Sequence, residues 1–255
     1  MTANARTTPG TCFRLTLRTR VETAPGSDVW RDAVVPEEIA AAEIAVLLCD
    51  VWDDHWCQSA ARRCDTLAKK MVPVVDAARA KGAQIIHAPS ECMAFYEDTP
   101  QRRRMREAPF VEPPEVALPP EPPLPIDDAD GGCDDLPPCP VRRAWTRQHP
   151  AIPIADEDGI SDSGAEVYNH LRQQGIGTLL ILGVHTNMCI LKRTFGIRQM
   201  LRWGVRCVLV RDLTDTMYNP RRPPFVPHDE GTERVIEHIE KYLCPSVPSA
   251  DLCCP

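Results

Sequence analysis

A chain of 255 residues with 43% hydrophobic and 25% charged side chains has room for one large core, which excludes a small stapled module and a disordered tail. Its net charge of −7, without a long basic run, argues against nucleic acid as the main partner, and no window approaches the ~18 apolar residues of a membrane span. Twelve cysteines with no CxxC pair fit neither a disulfide scaffold nor the usual zinc grammar, so the expected setting is a reducing cytoplasm with mostly free thiols.

Residues 1–10 show neither the charged nor the apolar region of a secretory leader, and Cys253-Cys254-Pro255 is not a prenylation box. Residues 13–22, FRLTLRTRVE, alternate apolar and polar side chains as an amphipathic strand does. After a Pro25-Gly26 turn, residues 30–35 can return as its hairpin partner, so 1–43 reads as an N-terminal extension of a domain spanning 44–243.

That domain opens with IAVLLCDV, residues 44–51, a run apolar enough to be buried on both faces. Asp50 ends it, where open α/β sheets build their sites; a turn or N-cap aspartate is the structural alternative. Trp52, Asp53, Asp54, His55 and Trp56 follow at once. A helix over 57–81, closed by Gly82, leads to a strand over 83–88 that carries His87. The Arg102-Arg103-Arg104 cluster reads as a solvated loop or a local anion contact.

Residues 109–140 are proline-dense and too long for a routine connection, so the expectation is an ordered lid or insertion over the strand ends. Its acidic residues Asp127, Asp128, Asp130, Asp134 and Asp135 match no EF-hand spacing and read as a solvated loop. Strand and helix then alternate again: helix 162–174 to Gly175, strand 178–183, helix 187–203 to Gly204, strand 205–210 toward Asp212, and helix 230–243 before a tail at 244–255. The pattern predicts an α/β fold, a three-layer α/β/α sandwich with a doubly wound, mostly parallel sheet.

Cys189 falls in the first turn of the helix after the 178–183 strand. Unpaired amides and the positive end of the helix dipole favour an anion there, which would lower the thiol pKa. The alternative is a buried cysteine in a βα turn. Trp52, Trp56 and Trp145 are candidates for a pocket around a planar or apolar substrate, with Phe95 read as packing.

Three motifs carry a resemblance to the isochorismatase-like cysteine hydrolases, the superfamily that includes nicotinamidases. IAVLLCDVWDDHW, ending its strand on Asp50, resembles the opening motif; GVHTNMC, 183–189, is similar to the nucleophile motif G-[IV]-x-T-x-x-C; LVRDLTDT, 209–216, with His228, resembles the C-terminal signature. The resemblance implies that Cys189 is the nucleophile and Asp50 its general base, with an oxyanion hole from the N–H of Cys189 and of Thr186 or His185, and a cis peptide at Val184–His185. The family lysine is missing: the corresponding stretch, 145–152, offers Thr146 or, shifted by one, Arg147, and Arg147 is assigned the electrostatic role. His149 and His185 flank the inferred site.

No cofactor is expected. A nicotinamidase-type divalent metal would have only His55 and His87, with Glu91 nearby, which is a thin ligand set. The implied activity is hydrolysis of an amide or ureido C–N bond in a small-molecule substrate by a homo-oligomeric enzyme. The alternatives are isochorismate-type vinyl ether hydrolysis and a catalytically inactive member that binds a metabolite or acts as a scaffold.

Overall fold

A computed structural model describes residues 11–253. The readings made on residues 1–10 and on Cys254 and Pro255 lie outside the described residues. Among the described residues there are eight strands: β1 Cys12–Glu22, β2 Trp30–Ala40, β3 Ile44–Cys49, β4 Gln84–Ala88, β5 Gly159–Ile160, β6 Thr178–Val184, β7 Arg206–Asp215 and β8 Ser246–Val247. The helices are α1 Gln58–Lys81, α2 Met93–Tyr96, α3 Pro100–Arg106, α4 Gly164–Gln174, α5 Cys189–Lys192, α6 Ile197–Arg202, α7 His228–Tyr242 and α8 Ala250–Cys253.

All eight strands form one sheet, in the order β2-β1-β8-β7-β6-β3-β4-β5. The strands from β8 to β5 are parallel, whereas β1 runs antiparallel to both β8 and β2. The α/β sandwich with a mostly parallel sheet is therefore present, and the N-terminal hairpin continues the sheet through β8. Side-chain alternation along β3 divides the core. Ile44, Val46 and Leu48 join the layer packed by Leu67, Met71 and Val75 of α1, while Ala45, Leu47 and Cys49 join the layer built from α4, α6 and α7. A strand with both faces covered has no polar positions, which is why IAVLLC is uniformly apolar. No helix among the described residues is long and apolar enough to cross a membrane.

Two expectations need correction. The helix predicted over 187–203 is two short ones, α5 and α6, interrupted at Arg193–Gly196. Apolar periodicity runs through the break because Ile190, Leu191, Phe195, Ile197 and Met200 all remain in the core. The backbone folds tightly there: a Cβ on Gly196 would lie 2.7 Å from the Ile190 carbonyl oxygen. The arginine cluster is helical rather than a loop. Arg102 lies buried on α3 in a bidentate pair with Glu166, and Arg104 donates to the Asp158 carbonyl.

Residues 109–140 contain no helix or strand, yet the aspartates at 127–135 are partnered rather than free in solvent. Asp127 pairs with Arg222, Asp128 accepts from Asn187 Nδ2 at 2.9 Å, Asp130 accepts from Asn219 Nδ2 at 2.8 Å, and Asp134 accepts from Arg63 at 2.8 Å. These bonds fasten the proline-rich stretch across the C-terminal ends of the central strands.

Candidate active site

Strand order reverses between β3 and β6, which lie side by side while their crossovers lead to opposite halves of the sheet. Open α/β sheets place their crevice at such a point. Asp50 leaves the end of β3, and Cys189 starts α5 one turn beyond β6. The two strand ends approach closely: a Cβ on Gly183, at φ +119°, would lie 2.1 Å from the Cys49 carbonyl oxygen, so only glycine fits.

Asp50 is fully buried and holds a left-handed φ of +49°, a conformation costly outside glycine and concentrated at functional sites. Its Oδ1 accepts the Ser90 N–H at 2.7 Å and its Oδ2 accepts Arg193 Nε at 2.9 Å. The Cys189 thiol sits beside the same carboxylate. Burial raises the Asp50 pKa, opposed by Arg193 and by the donated bonds. Cys189 departs from the sequence expectation of a lowered pKa. Burial and then the Asp50 charge push its thiol far up, and the opposing pull of Arg193 is smaller. α5 is a single turn, too short for its dipole to outweigh a carboxylate in contact with the sulfur. Cys189 therefore rests as a thiol.

The turn between β6 and α5 contains the cis peptide Val184–His185. Thr186 spends its N–H on the Asp215 carbonyl at 2.9 Å, which removes it from an oxyanion role. The His185 N–H instead faces the Cys189 sulfur. Together with the Cys189 N–H, which opens a helix and has no intrahelical partner, it forms the available donor pair. Asn187 clamps the turn from outside, donating to Met217 O at 3.0 Å and accepting the Met217 N–H at 2.8 Å.

Above the sulfur lies a cavity of about 190 Å³ bounded by Trp52, His55, Trp145, His185, Arg193 and Met217, with Trp56, Glu91, Gly131 and Met188 at its margins. Its flat wall follows from local pairing: Trp52 forms an isolated antiparallel bridge with Gln148, and Asp53 accepts the Thr146 N–H and Oγ1 at 2.8 and 2.6 Å. That pairing stacks Trp145 on Trp52 with ring centroids 4.2 Å apart, and His55 continues the stack at 5.7 Å from Trp145.

Of the site residues read from the sequence, Asp50, Cys189, His185, Trp52, Trp145 and His55 meet here. Arg147 does not. Its half-exposed guanidinium lies over the Phe95 ring at 5.5 Å and 3.9 Å from Asp53, and Phe95 is itself exposed rather than packed. Arg193 supplies the cation instead, its guanidinium set between Asp50 and the face of Trp52 at 6.0 Å. The signal for it was present: Arg193 is four residues after Cys189, one helical turn on, and its N–H bonds the Cys189 carbonyl at 3.0 Å. His87 is fully buried, bonded by Nδ1 to Gln148 at 2.8 Å and by Nε2 to Asp158 at 2.9 Å, so it does not converge with His55. His149 lies outside the cavity, 3.4 Å from Asp65.

Burial lowers both cavity histidines, His55 to about 4 and His185 to about 3. The unfolded chain binds those protons near pH 6.5 and the folded chain does not, so their contribution is complete above pH 6.5 and is lost as pH falls toward 4 and 3. At pH 5 the loss is about 2 kcal/mol for each. Urea midpoints between pH 7 and 5 should fall accordingly. His55→Asn, whose amide oxygen can still accept the Cys57 N–H that His55 Nδ1 takes at 3.2 Å, should remove about half of that slope; an unchanged slope would mean that His55 is not buried neutral.

The chain aligns with the structure of a cysteine hydrolase from Pseudomonas syringae pv. phaseolicola 1448A at a TM-score of 0.52 and 16% identity, covering 84% of this chain and 92% of that one. It aligns with an isochorismatase from Pseudomonas putida KT2440 at a TM-score of 0.50 and 13% identity, covering 83% and 91%. The architecture is thus the isochorismatase-like hydrolase fold. At these identities the likeness is one of fold. No protein-family model matches the sequence, and no curated protein matches it.

Proposed function

We propose that this chain is a cysteine hydrolase of the isochorismatase-like group that cleaves the C–N bond of a small amide or ureido compound through an acyl-enzyme. The observation that carries the reading is the buried constellation of Cys189 thiol, Asp50 carboxylate and Arg193 guanidinium beneath a cavity with an aromatic wall. A volume of about 190 Å³ suits only a small substrate, below the ~300 Å³ at which drug-sized pockets begin.

In this scheme the substrate carbonyl lies over the sulfur with its oxygen toward the N–H groups of His185 and Cys189. Asp50 takes the thiol proton as sulfur bonds to carbon, which avoids a free thiolate that the buried site disfavours. Collapse of the tetrahedral adduct expels the amine, which receives that proton from Asp50. Water then attacks the thioester with Asp50 again as base, releasing the acid and restoring the thiol. Arg193 keeps a positive charge beside the carboxylate throughout.

The test is amine release from a panel of small amides and ureas. Cys189→Ala should lower it by more than about 10³-fold, and the wild type should show an acyl adduct on Cys189 by mass spectrometry. Amine release that survives in Cys189→Ala would sink the covalent route; vinyl ether chemistry, which needs no thiol, predicts no amine from this panel at all. A second reading, a metabolite-binding chain without turnover, draws on the firmly held thiol proton and on an arginine that cannot exchange protons as lysine can. It predicts saturable ligand binding with no amine released.

A further inference from the structure

Beside the cavity, three cysteines converge on one carboxylate. Asp135 Oδ2 lies 3.4 Å from Cys57 Sγ, 3.8 Å from Cys133 Sγ and 3.2 Å from Cys139 Sγ, and it also accepts the Ser59 N–H at 2.9 Å. A carboxylate has about four lone-pair sites over two oxygens, so four donors on one oxygen exceed its capacity. Capping α1 explains the Ser59 bonds but leaves the three thiols without a reason.

We propose that Cys57, Cys133, Cys139 and Asp135 form a structural zinc site. The geometry carries the assignment. Tetrahedral bonds of about 2.3 Å to sulfur and 2.0 Å to oxygen set S···O edges of about 3.5 Å, which the three observed separations bracket. The ligand atoms of Cys57, Cys133 and Asp135 lie within 4.8 Å of one another, and this is the only such group of histidine, cysteine and carboxylate ligands among the described residues. Cys139, half-buried, touches Asp135 Oδ2 at 3.2 Å but stands outside that mutually close group, so its side chain swings in to supply the fourth bond when the ion binds.

The surroundings suit a thiolate-rich site. Ser59 Oγ donates to Asp135 Oδ1 at 2.6 Å and orients the carboxylate. Excess negative charge is met by Arg62, 3.3 Å from Asp135 Oδ1, and by Arg221, which donates to the Asp134 carbonyl at 3.2 Å. Ala60, Met217, Trp56 and Met188 form an apolar shell. Zinc binding displaces three thiol protons to solvent as the sulfurs become ligands. The bonds join the start of α1 to the end of the proline-rich stretch, and Trp56 and Gly131, which line the cavity, adjoin the ligands Cys57 and Cys133. The site therefore shapes the substrate cavity while remaining independent of whether Cys189 turns over.

The experiment uses the full chain, stripped with a chelator under reducing conditions and titrated with Co²⁺ and then Zn²⁺. Expected are a thiolate-to-cobalt charge-transfer band and tetrahedral ligand-field absorption that saturate at one equivalent and are bleached by Zn²⁺. Cys133→Ser and Asp135→Asn should each weaken Zn²⁺ binding at least about tenfold, measured against a chromogenic chelator, whereas Cys12→Ser should not. If Cys133→Ser fails to fold, Cys139→Ser, in an irregular segment, carries the same test. Absence of the thiolate band, its survival in both serine variants, or a disulfide within this trio in freshly purified protein would overturn the site.

Discussion

Arg193→Ala should slow amide turnover by about 10²–10³-fold, the effect of removing one preorganised charge or donor from a buried reaction centre, while Arg147→Ala should change it by less than about twofold. Arg193 is the group that opposes the two forces raising the Cys189 pKa, burial and the Asp50 carboxylate. Without it, both the thiol and Asp50 hold their protons more firmly. The pH dependence of iodoacetamide alkylation at Cys189, mapped by mass spectrometry, separates this from a packing defect: the rise in rate with pH should move to higher pH in Arg193→Ala and be partly restored in Arg193→Lys. Equal sensitivity to Arg147→Ala would return the electrostatic role to the residue that alignment alone selects.

Raising the pH from 8 to 10 should remove a large part of the folding free energy. Cys64 and Cys244 are pushed by burial to about 12, and Cys49 and Cys207, fully buried, are raised well above the ordinary thiol value. In the unfolded chain these thiols ionise near pH 8.5, so the folded state binds more protons than the unfolded state above that pH, and stability falls until the folded pKa values are reached. At pH 10 Cys64 and Cys244 each cost about 2 kcal/mol, a large share of the stability of a typical domain when taken together, and Cys49 and Cys207 act in the same direction. Urea midpoints measured with reductant present should stay level up to about pH 8 and then drop steeply. Cys244→Ala should make the drop shallower, and a level profile to pH 10 would mean that these thiols are not held protonated by the fold.

The central strands were legible in the sequence because a strand covered on both faces leaves a continuous apolar run, as in Ile44–Cys49 and Thr178–Val184. Asp50 and Cys189 were legible because such runs end where the sheet exposes its crevice. Less visible were contacts made across the chain. Arg147 follows an inviting motif, but pairing of residues 145–148 with 52–53 turns its side chain outward, and no local pattern reports that pairing. The acidic run at 127–135 looked solvated because its partners, Arg63, Asn187, Asn219 and Arg222, come from distant segments. The helical reading of 187–203 failed because burial alone preserves the period across a break in the backbone. Cys57, Cys133 and Cys139 gave no zinc spacing because the ligands come from two separate stretches.

The adjacency of β3 and β6 also sets a schedule for synthesis. β3 is complete at residue 49, yet the neighbour that covers one of its edges begins at residue 178. At translation rates of roughly 5–20 residues per second, that apolar edge waits on the order of ten seconds on the ribosome before its partner emerges. An unpaired, uniformly apolar strand is a template for adhesion to other chains, so the same neighbours that assemble the reaction centre give the nascent protein an interval in which a holding chaperone has something to hold.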